Sequence, residues 1–202
     1  MISPIIDVLI LSAVALFVLS RLYVALGRDD GDSPAVAQKP AMPRKSTEAP
    51  VDGQTNAILD RPMFTGPSAS ALEEIYEADK SFSPHEFTRG ARSAYQMIVA
   101  AFAKGDRDKL RPLLDDDVYE AWDAAITARE ENKEAAFDLL RIRKVEVEDA
   151  ELDGTMARIM MRFESELGDG ETTRAAKEIW TFMRDTNSSD PNWLLDDVEV
   201  AN

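Results

Sequence analysis

"ARIMMRFESELGDGETTRAAKEIWTFMR", residues 157–184, decides the fold class. Ala157, Ile159, Met161 and Phe163 alternate with Arg158, Met160, Arg162 and Glu164, the period of two that a half-buried strand shows. "LGDGE" at Leu167–Glu171 supplies a hairpin turn. On the return, Glu178, Trp180, Phe182 and Arg184 point to one face. A hairpin with one apolar face needs a covering layer, and the flanking sequence has to provide it.

Working outward, "SSDPN" at 188–192 is turn chemistry, with Pro191 pre-setting its backbone angle and Asp190 and Asn192 bonding locally. Trp193 and Leu195, then Val198 and Val200, form a last strand whose phase slips at Asp196-Asp197. On the other side, Leu140 and Ile142 share one phase and Val145 and Val147 the other. An extra residue at Arg143-Lys144 therefore predicts a bulged or sharply bent strand. Ahead of the strands the period becomes helical. Ala91, Tyr95, Ile98, Val99 and Phe102 line one side of Thr88–Lys104, and Gly105 closes that helix. Asp106 can cap a short "DRDKL" helix, and Asp115–Asp117 start another whose stripe is Tyr119, Trp122 and Ile126. Helices followed by a bent antiparallel meander make a segregated α+β domain.

The N-terminal third is different. Ile5–Leu26 is apolar except for Asp7, Ser12, Ser20 and Arg21, and at about 1.5 Å per residue it spans a bilayer core of about 30 Å. No basic region precedes it and no small-x-small cleavage site follows, so an uncleaved anchor is favoured over a signal peptide. Arg21 and Arg28 follow the span and nothing positive precedes it, which places the body in the cytoplasm. The expected organisation is an anchor at 1–27, a disordered Pro-rich linker at 28–67, a short helical arm at 68–81 and a folded domain at 82–202.

Composition narrows function by exclusion. A net charge of -15 argues against nucleic acid as a partner. Zero cysteines rule out disulfides and thiolate sites, and a single histidine, His85, disfavours a histidine-based metal site or a serine–histidine triad. Neither a metal nor a cofactor site is expected. Asp115–Asp117 reads as helix capping rather than cation binding. Glu178, beside Trp180 and Phe182, is the single candidate for catalysis, and a salt bridge with Arg184 or Arg162, or a helix-end contact, explains it more simply.

"FTRGARSAYQMIVAAFAKGDRDKLRPLL" (87–114) followed by "WTFMRDTNSSDPNWLL" (180–195) closely resembles the Tim44-like domain. The matching features are Gly90-Ala91, Ala94-Tyr95, Ala101-Phe102 to Gly105-Asp106, Arg162-Phe163 with Ser165-Glu166, Trp180-Thr181-Phe182 with Arg184, and Asp190–Trp193. This family comprises the C-terminal domain of the mitochondrial import-motor scaffold and of bacterial TimA-type relatives. The resemblance implies a cone-like α+β domain of nuclear-transport-factor-two type, with helices on a strongly curved antiparallel sheet and an apolar pocket or groove. It also implies a non-enzymatic adaptor that binds protein partners at the inner membrane, such as a translocase or chaperone component, with phospholipid as a further ligand. The absence of an Arg-rich presequence favours a bacterial inner (cytoplasmic) membrane protein, single-pass through residues 5–26. The alternative is a small-molecule enzyme or carrier using the pocket of the same fold.

The bent strands are expected to curl around an apolar cavity walled by Phe163, Trp180 and Phe182, with Tyr95 and Phe102 from the helix, and Trp193 closing sheet against helices. Arg143, Lys144, Arg158 and Arg162 form the one basic grouping on the sheet, a candidate site for a headgroup or acidic partner. A solvated face balanced by Glu146, Glu148 and Glu164 is the plainer reading. Met156, Met160, Met161 and Met183 read mainly as core.

Overall fold

The computed structural model describes residues 62–201, so the expected span at 5–26 and nearly all of the linker lie outside the described residues. Among the described residues four helices precede four strands: α1 (Ala69–Ala78), α2 (Pro84–Lys104), α3 (Arg107–Leu110), α4 (Asp116–Asn132), β1 (Asp138–Asp153), β2 (Met156–Gly168), β3 (Thr173–Asp185) and β4 (Leu194–Val200). The strands form one antiparallel meander in chain order. Among the described residues no helix is long and apolar enough to cross a membrane.

Helix boundaries follow local chemistry. Ser83 caps α2, with Pro84 at its first position, where a missing N–H costs nothing. Gly105 ends α2 at φ 67°, the left-handed backbone that favours glycine, and a Cβ there would sit 2.7 Å from Glu130 Oε1, which would have to swing aside. Asp106 accepts a hydrogen bond from Lys109 N and starts α3, as the sequence indicates. In α4 the deeply buried positions are Val118 and Ile126, while Tyr119 and Trp122 are half-buried.

The phase slips are real. β1 shifts register against β2 between Ile142 and Lys144, at the expected bulge, and again between Leu139 and Arg141 and between Val147 and Asp149. The slip at Asp196-Asp197 appears as an irregularity opposite Thr181-Phe182. Each bulge bends its strand, so the inward side chains converge on the helices.

Alternation sorts the sheet cleanly. Ala157, Ile159, Met161, Phe163, Trp180, Phe182 and Leu195 point inward and are buried beneath Tyr95, Ile98 and Ala101 of α2 and Ile126 of α4. Met156, Met160 and Met183 sit half-buried on the opposite face, so of the four methionines read as core only Met161 is fully enclosed. Two backbone bonds, Leu195 N to Leu113 O and Asp115 N to Leu195 O, stitch the helical layer to β4.

The arm is packed rather than free-standing. Leu72 and Ile75 are buried, and Asp79, just past α1, pairs with Arg184 of β3 while both side chains are nearly enclosed. Asp79 is held below the usual carboxylate range. Burial pushes it up, but hydrogen bonds from Ser81 and the charge of Arg184 together outweigh that.

Candidate functional site

The aromatic side chains expected to wall a cavity pack on one another. Tyr95 stacks on Phe163 with centroids 4.4 Å apart, and Trp180 lies 4.5 Å from Tyr95 and 6.4 Å from Phe182. Tyr95, Phe163, Trp180 and Phe182 are at most 1% exposed. Phe102 is half-buried and meets Trp122 edge-on at 4.9 Å, which in turn reaches Trp180. Trp193 lies one residue ahead of β4, half-buried, with Phe87 at 4.8 Å and Phe82 at 6.0 Å. Edge-on and offset contacts of this kind add to simple area burial. Each of the six residues thus packs against another aromatic ring.

Inside this aromatic shell lies a polar network. Tyr95 donates to Glu178 Oε2 at 3.0 Å, and Trp180 Nε1 donates to the same oxygen at 3.2 Å. With its proton so committed, Tyr95 accepts from Ser165 Oγ at 2.7 Å. Glu178 as a residue is half-buried, yet its carboxylate is enclosed enough that burial pushes its pKa up. The bonds from Tyr95 and Trp180 and the charge of Arg174 only partly offset that rise. Burial and the neighbouring Glu178 charge push the Tyr95 phenol far up, so it stays a hydrogen donor at any physiological pH. This corrects the sequence reading of Glu178: Arg184 pairs with Asp79 and Arg162 with Glu148, and the partners of Glu178 are a tyrosine and a tryptophan. The signal was present in the alternation, which turns both Ser165 and Glu178 inward, but the sequence did not join them to Tyr95.

The four candidate cations Arg143, Lys144, Arg158 and Arg162 are each matched to an acid. Arg143 and its neighbour Arg141 both bind Glu166, Lys144 binds Glu146 at 2.7 Å, and Arg158 meets Asp196 at 3.1 Å. Arg162 grips Glu148 through two nitrogens at 2.7 and 2.8 Å. The bonds from Arg141 and Arg143 hold Glu166 down to about 2. The plainer reading of this face as balanced charge is therefore the one the geometry favours, with Glu166 in the role given to Glu164.

Open clefts among the described residues lie elsewhere, two of which are well defined. One, of about 360 Å³, runs between Met63–Ser68 and the start of α2 and is floored by Leu72 and Val147. The other, of about 230 Å³, lies under the β3–β4 loop beside Met156, Met183 and Leu194. Neither is lined by any of the six aromatic residues. His85 is exposed on the rim of the first, 3.3 Å from Glu86. Asp116 pairs with Arg111, and among the described residues no group of three or more acids and histidines is placed to hold a metal ion.

The solvent face of α2 has a different character. Arg89, Gly90, Arg92, Ser93, Gln96, Met97 and Lys104 are all exposed, Met97 to 52%. Arg89 pairs with Glu86, whereas Arg92 and Lys104 have no ion-pair partner among the described residues. A Cβ at Gly90 would meet nothing within 4 Å, so the domain gains nothing from this glycine, which costs about 0.5–1 kcal/mol relative to alanine in a helix.

A helical layer on a bulged four-stranded meander defines the class: an α+β domain with its own core and no metal-binding group among the described residues. Its family follows from the match of the Tim44-like domain to residues 68–200, and the chain belongs to that family. An uncharacterized protein of Rickettsia prowazekii (strain Madrid E) is 25% identical over 149 residues, 74% of this chain. This chain spans only 63% of that relative's length. Among solved structures, the intermembrane space region of the chloroplast protein ARC6 aligns with a TM-score of 0.42 at 19% identity, over 56% of this chain and 95% of that one. A SEC-C motif containing protein from Rhodopseudomonas palustris aligns with a TM-score of 0.31 at 17% identity, over 51% and 72% respectively. Neither structural likeness is close enough to carry an argument.

Proposed function

We propose that this protein is a membrane-anchored adaptor. Residues 5–26 hold it in a bacterial inner membrane, and its cytoplasmic Tim44-like domain binds a protein partner of the translocation or membrane-protein assembly type. The observation that carries this reading is the family match over 68–200. It is supported by the apolar run ahead of the domain in the same chain. The geometry adds weight: the aromatic interior is packed, and surface is what such a domain has to offer. Phospholipid headgroups gain little support from Arg143, Lys144, Arg158 and Arg162, because each already faces a carboxylate.

The alternative, an enzyme or carrier of small molecules, would have to use Glu178. Its pKa is raised as a general acid or base requires. However, Oε2 is occupied by Tyr95 and Trp180, and neither described cleft reaches it.

The test is proximity labelling from the full chain in its native membrane, against a version lacking residues 5–26. A defined set of neighbours seen only with the anchored chain supports the adaptor. Identical labelling from both forms, or release of the full chain by carbonate washing, sinks it. A C-terminal phosphatase fusion should be inactive and a fluorescent-protein fusion bright; the reverse pattern would move the domain to the other side of the membrane.

A further inference from the structure

The exposed face of α2 is organised along its length. Gly90, Met97 and Lys104 recur every seven residues and so lie in one row. Arg89, Arg92 and Gln96 lie along the other margin, with the small side chains of Ser93 and Ala100 between the two rows. Arg89 to Lys104 spans about 22 Å at 1.5 Å per residue. Along that length Arg89, Arg92 and Lys104 are the charged residues of the helix, and the flanking acids are Glu86 before it and Asp106 after it, in a chain whose net charge is -15. On the sheet Arg143, Lys144, Arg158 and Arg162 each have a carboxylate partner, whereas Arg92 and Lys104 form no ion pair among the described residues and Lys104 feels the charge of Asp106 beyond the helix end.

We infer that this face of α2 is the docking surface of the adaptor, and that its occupant is an acidic amphipathic helix of the partner protein. The inference rests on the adaptor reading above and names the surface and chemistry it uses. Charge complementarity selects the occupant. Carboxylates spaced along a helix can meet Arg92 and Lys104 while an apolar row covers Met97. Gly90 and Ser93 let the two helix backbones approach, a close contact that larger side chains would prevent.

Other occupants fit less well. A second copy would set identical cations against one another. A bilayer would gain one large apolar side chain, Met97, against the repulsion of a strongly acidic body by anionic lipid.

The experiment places photoreactive p-benzoylphenylalanine at Met97 of the full chain, irradiates native membranes and maps the adduct by peptide sequencing. The same probe at Lys177, exposed on the far face of the sheet, serves as control. The expected result is one protein adduct at Met97, absent at Lys177, in a segment rich in Asp and Glu. Arg92→Glu combined with Lys104→Glu should cut it about tenfold, the effect of losing two surface ion pairs of ordinary strength. Gly90→Leu should also abolish it while leaving the melting temperature at or above that of the parent, since open space lies beyond the added Cβ. An adduct to lipid, to a second copy or to a non-acidic segment overturns the inference. So does an adduct that survives the charge reversal or Gly90→Leu. If the same partner is caught at Lys177 instead, the docking face is wrong and the adaptor reading stands. Proximity labelling that finds no specific neighbour removes the adaptor reading itself.

Discussion

Replacing Tyr95 by phenylalanine isolates the polar network in the core. The substitution keeps the ring, its stack on Phe163 and its contact with Trp180, and deletes one oxygen. That oxygen donates to Glu178 and accepts from Ser165. A hydrogen bond to a charged group contributes about 1.5–3 kcal/mol and a neutral one about 1 kcal/mol, so Tyr95→Phe should destabilise by about 2–4 kcal/mol at a pH above the raised pKa of Glu178, where the carboxylate is ionised. Linkage gives the loss a pH signature. Glu178 has its folded pKa raised above the usual 4.5, so the folded state binds its proton more tightly than the unfolded one. The stability this group contributes is fully present below the unfolded value and is lost as pH rises through the folded value. A neutral carboxyl also needs the tyrosine donor less, so the Tyr95→Phe deficit should shrink on acidification across that window. Glu178→Gln should flatten the same pH dependence and raise stability above the folded pKa of Glu178, because an amide oxygen can still accept from Tyr95 and Trp180. Urea titration of the full chain in mild detergent, followed by tryptophan fluorescence at several pH values, reads all of this. A deficit below 0.5 kcal/mol by that same scale, or one that is the same with and without Glu178, would refute the network as a coupled, buried unit.

Three further expectations concern stability and are read by thermal or denaturant unfolding. Asp79→Ala leaves Arg184 enclosed without its partner and should cost about 3–5 kcal/mol. Because the folded pKa of Asp79 is lowered, this contribution exists above the ordinary aspartate value and fades as pH falls through the folded one, so parent and variant should converge in acid. Gly105→Ala should destabilise by about 1–2 kcal/mol, through its left-handed backbone and the contact with Glu130, whereas Gly90→Ala should stabilise by up to about 1 kcal/mol; equal effects would contradict both assignments. Trp193→Ala should cost about 2–4 kcal/mol, at or just below the usual range for an aromatic truncation because the ring is half-buried against Phe87 and Phe82, and near-normal melting would show that it packs against neither.

Much of the architecture is written in local periodicity. The alternation from Ala157 to Phe163 and from Glu178 to Arg184 depends only on which residues share a face, and a bulge announces itself as a change of phase. The bulges at Leu139–Arg141 and Val147–Asp149 gave no such announcement, because charged and apolar residues there fit either phase. Long-range pairing is harder still. Asp79 and Arg184 are 105 positions apart, and Tyr95 and Glu178 are 83 apart; nothing near either residue specifies the partner. The candidate cavity shows the same limit. Spacing identifies Phe163, Trp180 and Phe182 as inward-facing, but whether they line a space or occupy it depends on how closely α2 settles on the sheet. Here it settles until Tyr95 stacks on Phe163.

The docking of α1 has a mechanical consequence. Any pull on the chain ahead of Pro62 reaches the domain through this ten-residue helix, gripped by Leu72, Ile75 and the Asp79–Arg184 pair. Such a helix is about 15 Å long, and the same residues drawn out reach about 34 Å. Under load α1 would yield before the sheet, adding about 19 Å of reach while the meander and its aromatic interior stayed intact. The body would then behave as a weight on a line with a built-in slip, its give set by the Asp79–Arg184 ion pair and the apolar side chains of α1.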